Sequence, residues 1–256
     1  MRAEFAEIFK PLQLKSPPTN WDYKNARQYL QVVEAFAQTM HQCVYIIDHY
    51  KQGFLYVSDN PLFLCGQSAQ EVRKAGYNFY LEHVPPEELS MLLEIKEAGV
   101  RFYNKVPVNE RLNYTISYDF HLIQPNKRRI LVNHKLTPLV LDDEHNIWLA
   151  LCVVTHSPNN EAGNIIITKR GEKQKLSLRY DLTTKEWIAE KRIRLTARQK
   201  EILALSAQGI TMNEIAKELA ISSDTVKLHK KNIFEKLRVK NMVEAIHYAT
   251  NYKLFE

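Results

Sequence analysis

The fold of the C-terminal part of this chain is decided by residues 222–239, which read SSDTVKLHKKNIFEKLRV. At 100° per helical residue, three apolar side chains fall within about 20° of one line: Val226, Ile233 and Leu237. Three basic side chains lie about 100–140° from that line: Lys227, Lys231 and Arg238. The pattern indicates a helix with a narrow buried stripe beside a flat basic face. Such a face suits insertion into a groove of DNA, but ordinary solvated lysines give the same pattern, so the neighbouring sequence has to decide.

Capping patterns occur on both sides of this helix. Three pairs place Glu or Gln three positions after a short polar residue: Thr196 with Gln199, Thr211 with Glu214, and Asn241 with Glu244. Ser222 or Ser223 can cap the basic helix itself, and Gly209 has the position of a left-handed C-terminal cap. Four capped helices in about sixty residues, the second and third joined by a minimal turn at 220–222, predict a helix-turn-helix unit.

This segment closely resembles the LuxR-type DNA-binding domain of bacterial transcription regulators, over residues 195–249. The resemblance rests on motifs spread along the whole segment: Leu-Thr-x-Arg at 195–198, Glu201, Gly209, Glu214-Ile215-Ala216, Ile221-Ser222, Thr225-Val226-Lys227, His229, Asn232-Ile233, Lys236-Leu237 and Glu244-Ala245. It implies a domain that binds double-stranded DNA and pairs through its last helix, at 241–252, to form a homodimer. RNA polymerase is a further candidate partner of such a regulator.

The same resemblance implies roles for individual side chains of the basic helix. Three of them match the positions that read bases in the family: Lys227, Leu228 and Lys231. Three others lie towards the margins of the buried face, where the phosphate backbone is expected to run: Thr225, His229 and Lys230.

The charge of the chain is concentrated on this segment. Residues 191–256 contain 13 Lys and Arg against 7 Asp and Glu, whereas residues 1–190 contain 22 of each sign. The entire formal excess of +6 therefore lies on the helix-turn-helix part. We expect attraction to phosphate there and not elsewhere, and this asymmetry argues against a scaffold that uses the helix-turn-helix only for protein contacts.

The composition bounds the class of protein. With 256 residues and 45% hydrophobic content, the chain can bury a good core and is expected to hold two domains. Its three cysteines lack metal-ligand spacing and indicate reduced, buried thiols. No leader-like start and no apolar run of membrane-spanning length are present, which predicts a cytoplasmic protein with no membrane contact. No nucleophile elbow, phosphate-binding glycine loop or metal-spaced cluster is found, so neither an enzyme nor a metal site is expected.

The middle of the chain has the alternation of strands. Val44–Asp48 and Phe54–Val57 flank a turn that contains Gly53, and short helices follow, one of them capped by Ser68 with Glu71. A longer helix is predicted from 89 to 98, and then three strands at 114–122, 129–141 and 147–156. Two strands, small helices and three strands resemble a PAS sensor domain over roughly residues 40–157. The resemblance implies an antiparallel sheet with helices on one face and space for a small-molecule ligand between them.

The sequence does not contain a clear binding motif for the cofactors of known PAS domains. The flavin-binding class has its reactive cysteine in an Asn-Cys-Arg-Phe-Leu-Gln motif, whereas Cys65 is followed here by Gly66-Gln67-Ser68. His83 is a conceivable haem ligand, but a histidine beside two prolines is more typical of a surface loop. We therefore assign no cofactor and expect a colourless protein.

The two remaining segments flank the PAS-like region. Met1–Lys10 is predicted to be a short helix, followed by a proline-containing link and an amphipathic helix from Asn25 to His41 with four apolar residues at helical spacing: Tyr29, Val32, Val33 and Phe36. Three short strands are expected at 165–167, 176–180 and 187–188, with turns at 170–172 and 181–184, as an antiparallel meander that joins the two domains. A flexible linker is the alternative, but the alternating apolar residues and Trp187 argue for order.

The sequence thus predicts an α+β protein: a PAS-like antiparallel sheet with flanking helices, plus a separate all-α, four-helix LuxR-type domain. The predicted segments are a helical N-terminus at 1–41, the sensor at 42–158, a β connector at 159–190 and the DNA-binding domain at 191–256. A receiver domain is disfavoured because no acidic pair precedes Asp48. We expect a sequence-specific transcription regulator controlled by a signal at the PAS-like domain. The alternative is a receptor of the autoinducer-binding type, although that pattern is not recognisable around residues 21–23.

Overall fold

The computed structural model describes residues 18–170, 177–190, 193–252 and 254–255. The chain divides into two compact units, Met1–Glu190 and Lys191–Glu256. The helix predicted at Met1–Lys10 lies outside the described residues, as does most of the link that follows it. Within the part of the chain that is described, no helix is long and apolar enough to cross a membrane.

An antiparallel sheet forms the centre of the first unit. Its strands within the described ranges are β1 (Cys43–Asp48), β2 (Gly53–Val57), β3 (Tyr114–Ile123), β4 (Arg129–Leu141), β5 (Ile147–His156), β6 (Gly163–Lys169), β7 (Ser177–Asp181) and β8 (Glu186–Ala189). Their order across the sheet is β2-β1-β5-β4-β3-β6-β7-β8. The longest ladder joins β4 to β5, from Val132 opposite His156 to Leu141 opposite Ile147. The bounds predicted for β4, 129–141, and for β5, 147–156, are confirmed.

Four helices and a 3-10 turn lie between β2 and β3 in the sequence. They are α2 (Pro61–Leu64), α3 (Ala69–Ala75), α4 (Asn78–His83) and α5 (Pro86–Lys105), followed by a 3-10 turn at Val108–Asn113. Helix α3 begins at the predicted capping box, in which Ser68 Oγ accepts from Glu71 N and Glu71 Oε2 accepts from Ser68 N. Two strands, a run of helices and three further strands on one antiparallel sheet confirm the predicted PAS-like fold class.

Strand alternation divides the core between the two faces of the sheet. Along β1, Tyr45 and Ile47 belong to a cluster with the residues of α2–α4, whereas Val44 and Ile46 contact the opposite cluster. This second cluster is covered by helix α1, Asn20–Gln38. Both faces of the central strands are therefore buried, which explains why all six residues of β1 are inaccessible.

Helix α1 differs from its prediction in its bounds and in its buried face. It begins five residues before Asn25, because Thr19 and Asp22 form a capping box, and it ends at Gln38. Its buried positions are Ala26, Val33 and Ala37. Three of the four residues predicted to form its apolar face are exposed instead, by 51%, 70% and 58%: Tyr29, Val32 and Phe36.

The predicted connector adds strands to the same sheet. Strand β6 pairs with the free edge of β3, with Ile116 opposite Ile167, and β7 and β8 follow as an antiparallel hairpin. The turn predicted at Arg170-Gly171-Glu172 falls partly outside the described residues. Ile165, Ile167 and Tyr180 are buried against helix α5. The order expected from the alternating apolar residues and Trp187 is thus present, and the strands belong to the first unit.

The second unit consists of four helices in its described part. They are α6 (Ala197–Ala207), α7 (Met212–Glu218), α8 (Ser223–Leu237) and α9 (Met242–Asn251). The predicted caps Thr196, Thr211, Ser222 and Asn241 all accept a hydrogen bond from the backbone three residues later. Gly209 has φ +82°, as the left-handed cap requires. Buried residues from all four helices form one core, which confirms the predicted all-α domain.

Candidate nucleic-acid interface and ligand cavity

Helix α8 is fixed in the second unit by its apolar stripe. Val226 and Ile233 are fully buried and Leu237 is 2% exposed, so the predicted stripe is the packed face. The turn before the helix is held by Ser223 Oγ, which donates to Asn213 Oδ1 of α7 at 3.0 Å. Ala220 adopts the left-handed conformation, at φ +51°, within the four-residue connection 219–222. The position of α8 relative to α7 is therefore set by packing and by a hydrogen-bonded turn.

The opposite face of α8 carries the residues predicted to read bases. Lys227 and Lys231 are exposed, and Leu228 is exposed by 57%. Lys231 Nζ lies 3.9 Å from Glu235 Oε1 between two well-exposed side chains, a contact too weak to hold the lysine in place. Leu228 lies beyond the two lysines around the helix and is not part of the apolar core of this unit, so it suits contact with a thymine methyl group.

The residues predicted to contact phosphate are half-buried, at the margins of the packed stripe: Thr225, His229 and Lys230. All six predicted side chains are at least partly accessible, but they do not share one side of α8, because His229 and Lys230 flank the buried stripe from opposite sides. Arg238 is different, because it ends the helix in the left-handed conformation at φ +55° and lies beyond the regular basic face.

Other basic residues of this unit have structural contacts. Lys236 Nζ donates to Gln199 Oε1 at 2.9 Å, and the Gln199 side chain is part of the buried core. Arg198 donates to the carbonyl of Leu219 at 3.2 Å and to Glu201, which ties α6 to the end of α7. Arg198 and Lys236 both belong to the sequence motif, but the motif alone does not show that their side chains connect the helices of this unit.

A cavity of about 240 Å³ lies between helix α5 and the sheet of the first unit. Helix α5 contributes residues at i, i+3, i+4, i+7, i+8, i+11 and i+12, which form one continuous face: Leu92, Ile95, Lys96, Gly99, Val100, Tyr103 and Asn104. The sheet contributes Ile47, Ile116, Tyr118, Leu136 and Ile147. This is the space that the PAS resemblance predicted between helices and sheet.

Polar groups enter the cavity at few points. His49 lies on the wall, and burial, together with the nearby charge of Lys96, lowers its pKa to about 4, so its ring is neutral at physiological pH. Burial also lowers the pKa of Lys96. Tyr80 joins the wall to an internal chain of hydrogen bonds: its hydroxyl lies 2.8 Å from that of Tyr45, which lies 2.6 Å from Nε2 of the buried His134.

The two residues weighed for PAS cofactor chemistry are not among those that line the cavity. Cys65 is buried at the end of α2, and burial raises the pKa of its thiol to about 12, which makes it a poor nucleophile. His83 packs on Phe79 and its two ring nitrogens contact Gln67 Nε2 and the carbonyl of Ile123. Among the described residues, no group of His, Cys, Asp and Glu is arranged to hold a metal ion.

Helix α5 is also attached to the hairpin β7–β8. The carboxylate of Glu94 accepts from Tyr180 Oη and Arg101 Nη2 and pairs with Lys185 Nζ at 3.1 Å. About two turns further along, the ring of Phe102 contacts that of Trp187, with 5.7 Å between centroids. We call this set of contacts around Glu94 the α5 clasp.

Comparison with known proteins assigns the second unit to a family. A family model described as "Bacterial regulatory proteins, luxR family" matches residues 194–249. The probable csgAB operon transcriptional regulatory protein of Salmonella typhimurium is 47% identical over 57 residues, covering 22% of this chain and 26% of that protein. DesR of Bacillus subtilis is 54% identical over 52 residues, covering 20% and 26%. The chain spans about a quarter of the length of these curated relatives.

Two solved structures are among those similar to this chain. A structure of the transcription factor GerE is 30% identical, covers 25% of this chain and 94% of that one, and has a TM-score of 0.24. The VqmA dimer of Vibrio cholerae covers 88% of both chains at 16% identity, with a TM-score of 0.35. The second unit is a helix-turn-helix domain of the kind that bacterial regulators carry. More narrowly, residues 194–249 form a LuxR-type domain, which confirms the prediction from sequence.

Proposed function

We propose that the chain is a sequence-specific, double-stranded-DNA-binding transcription regulator, controlled by a signal at its PAS-like unit. The observation that carries the proposal is the exposed face of α8, where Lys227, Leu228 and Lys231 stand opposite a fully buried stripe in a LuxR-type domain. The excess of positive charge on residues 191–256 supports it. Such a regulator acts in the cytoplasm, with RNA polymerase as a further partner, and needs no catalytic site.

We assign different tasks to the two groups of side chains on α8. Lysine can donate to O6 and N7 of guanine, and an exposed leucine can contact the methyl group of thymine, so the exposed face reads bases. Thr225, His229 and Lys230 contact the phosphate backbone and fix the register of the helix. Loss of a base contact costs about 1–3 kcal/mol and relaxes preference at one position, whereas loss of a phosphate contact weakens all sequences alike.

Two lysine variants test this assignment. A preferred duplex is first selected from a random pool with the wild-type protein, and affinities for that duplex and a scrambled one are then measured at several salt concentrations. Lys231→Ala is expected to reduce the ratio of the two affinities. Lys230→Ala is expected to lower both affinities together and to reduce the slope of log K against log salt by about one unit.

Lys74→Ala is the matched control, because Lys74 is exposed on α3 of the other unit and its loss removes the same charge. It is expected to leave both affinities within experimental error. If Lys231→Ala kept the full specificity ratio at fixed salt, the proposed orientation of α8 in the groove would be wrong.

We also propose that the protein binds as a homodimer through α9, to two half-sites about one helical turn of DNA apart. Val243 supports this proposal, since it is 78% exposed on a helix whose opposite side, at Ala245 and Ala249, is fully buried. Footprinting is expected to show two protected half-sites. Protection of a single half-site by one protein per duplex would contradict the dimer.

The sensing step is proposed to act through helix α5. One side of this helix forms the cavity wall, and the α5 clasp ties it to the hairpin β7–β8, which ends at Ala189. The second unit begins at Lys191. A change at the cavity can therefore reach strand β8, which precedes the DNA-binding domain in sequence, through contacts within the first unit. We propose that this change alters DNA binding or dimer geometry.

A further inference from the structure

Asp224 lies on the face of α8 that is proposed to read bases. It is the acidic residue in the first turn of this helix, and its side chain is exposed. At 100° per residue it lies about 160° from Val226, between Lys231 and Leu228 around the helix axis. A carboxylate therefore shares the outward line of the helix with two of the side chains that are proposed to contact bases.

The cap of α8 does not use this carboxylate. Ser222 Oγ accepts from Thr225 N at 3.1 Å and thereby caps the helix. In α7, by contrast, the carboxylate of Glu214 accepts from Thr211 N at 2.9 Å. No hydrogen bond or ion pair joins the Asp224 carboxylate to another residue that the structure describes. The structural role that is left for an acidic residue at this place is its interaction with the helix dipole, which has no preference for any DNA sequence.

A carboxylate on this face discriminates among the bases that the major groove presents. Guanine presents two acceptors there, N7 and O6, and thymine presents the O4 acceptor beside a methyl group, so neither base can donate to a carboxylate. Adenine has the N7 acceptor next to its N6 donor, whereas cytosine presents the N4 amino group as its polar group. Because the phosphates of both strands also repel a carboxylate, a favourable contact requires such a donor, and cytosine supplies it without a neighbouring acceptor.

A second carboxylate on the outward line lies near the other end of the helix. Glu235 comes about three helical turns, or roughly 16 Å, after Asp224. Its side chain is 64% exposed, and its Oε1 lies 3.9 Å from Lys231 Nζ. In helix-turn-helix proteins the N-terminal residues of the recognition helix contact the base edges. Asp224 is therefore at the end of α8 that enters the groove, and Glu235 is at the end that leaves it.

We propose that Asp224 is a specificity-determining residue, whose carboxylate accepts a hydrogen bond from N4 of a cytosine in the major groove. This inference rests on the proposed DNA-binding function and names one base that the protein selects. Because the lysines of the same face favour guanine, the preferred half-site contains G·C pairs and one cytosine whose selection depends on Asp224. Loss of such a base contact changes affinity by about fivefold or more.

A panel of single-base-pair substitutions tests the contact. The duplex selected by the wild-type full chain is changed one base pair at a time within a half-site, and the affinities are measured by competition at fixed salt. The wild type is expected to prefer cytosine at one position by about fivefold or more. Asp224→Ala is expected to abolish the preference at that position and at no other. Asp224→Asn is expected to prefer adenine there, because an asparagine amide can pair with both N6 and N7 of adenine.

Glu235→Gln is the matched control. It removes the same charge from the same line of α8, so it is expected to raise the affinity for all duplexes alike and to keep the preference for cytosine. Circular dichroism checks that each variant is folded. Should Asp224→Ala not fold, Asp224→Asn, which has the same shape as the wild-type side chain, tests the proposal through the change from cytosine to adenine.

Three results would overturn the proposal: an Asp224→Ala variant whose affinity changes equally for all duplexes, as loss of a contact with the helix dipole would give; a position that Asp224→Ala flattens although the wild type prefers another base there; or an Asp224→Asn variant that keeps the full preference for cytosine. If Lys231→Ala relaxes one position while the Asp224 variants relax none, the regulator stands and the cytosine contact is rejected. If the wild type selects no duplex from the random pool, the proposed function fails and the cytosine contact is rejected with it.

Discussion

The α5 clasp gives the sharpest test of how the first unit is held together. The perturbation is Glu94→Gln, which keeps the shape of the side chain and removes its charge. In the folded protein the hydrogen bond from Tyr180, with smaller contributions from Lys185 and Arg101, lowers the pKa of Glu94 from 4.5 to about 2. A shift of this size corresponds to about 3 kcal/mol if none of it is screened.

Solvent reduces that figure. The Glu94 side chain is only 15% exposed, but Arg101 and Lys185 are exposed by 51% and 65%, and water weakens ion pairs of such side chains. We therefore expect Glu94→Gln to lower the free energy of unfolding of the first unit by about 1–2 kcal/mol at pH 7. Because the pKa is depressed by folding, this contribution is complete above pH 4.5 and is lost as the pH falls towards 2.

Urea unfolding of the full chain measures the effect. All three tryptophans lie in residues 1–190, and Trp187 contacts Tyr180 with 4.9 Å between ring centroids, so tryptophan fluorescence reports on this unit. The control is Glu97→Gln, which removes an exposed partner of Arg101 from the same helix and is expected to change stability by less than about 0.5 kcal/mol. If the two variants lost equal stability, or if the Glu94→Gln deficit were unchanged below pH 4, the charge of Glu94 would not be what stabilises the clasp.

Two further predictions concern the same unit. Tyr45→Phe removes the hydroxyl that contacts Nε2 of the buried His134, and it is expected to cost about 1–3 kcal/mol of unfolding free energy in urea; an unchanged midpoint would contradict this. Gly66→Ala is expected to be more destabilising than Gly163→Ala, although both glycines have positive φ. At Gly66 a Cβ would lie 2.4 Å from Cγ of Pro125, whereas at Gly163 it would meet nothing within 4 Å. Thermal unfolding of the two variants side by side checks this order.

Local signals explain what could be predicted from the sequence. A helix cap involves four consecutive residues, so the capping boxes at Thr196 and Thr211 were readable without any tertiary information. The exposed face of α8 followed from helix geometry once its apolar stripe was known. Strands β4 and β5 were bounded correctly because turn residues interrupt their apolar runs on both sides.

Structural features that depend on contacts between distant residues could not be predicted from the sequence. Helix α4 has only six residues, and Tyr77, the N-cap residue before it, makes no side-chain cap, so nothing in the sequence separates it from a loop. The apolar face of α1 was assigned to the wrong side, because Tyr29, Val32 and Phe36 have the right spacing and the tertiary fold buries smaller residues instead. The α5 clasp joins residues 86 positions apart, which no periodicity can reveal.

Helix α5 carries the cavity on one side and the clasp on another. Lys96 and Glu94 are two residues apart and so point about 200° away from each other around the helix axis. A ligand that shifts helix α5 must move Glu94 with it or break the clasp. Ligand binding can shift this equilibrium only by its difference in affinity for the two positions, about 1.4 kcal/mol for each factor of ten.

The clasp, at about 1–2 kcal/mol, is of the same size as that difference. A much stronger attachment would hold α5 in one position whether or not ligand is bound, and a much weaker one would not move the hairpin β7–β8 with the helix. Exposure of Arg101 and Lys185 to solvent keeps the attachment in the range that a small ligand can offset. In the proposed sensing step, the partial exposure of these two side chains is thus what would allow a ligand in the cavity to move the strand that leads to the DNA-binding domain.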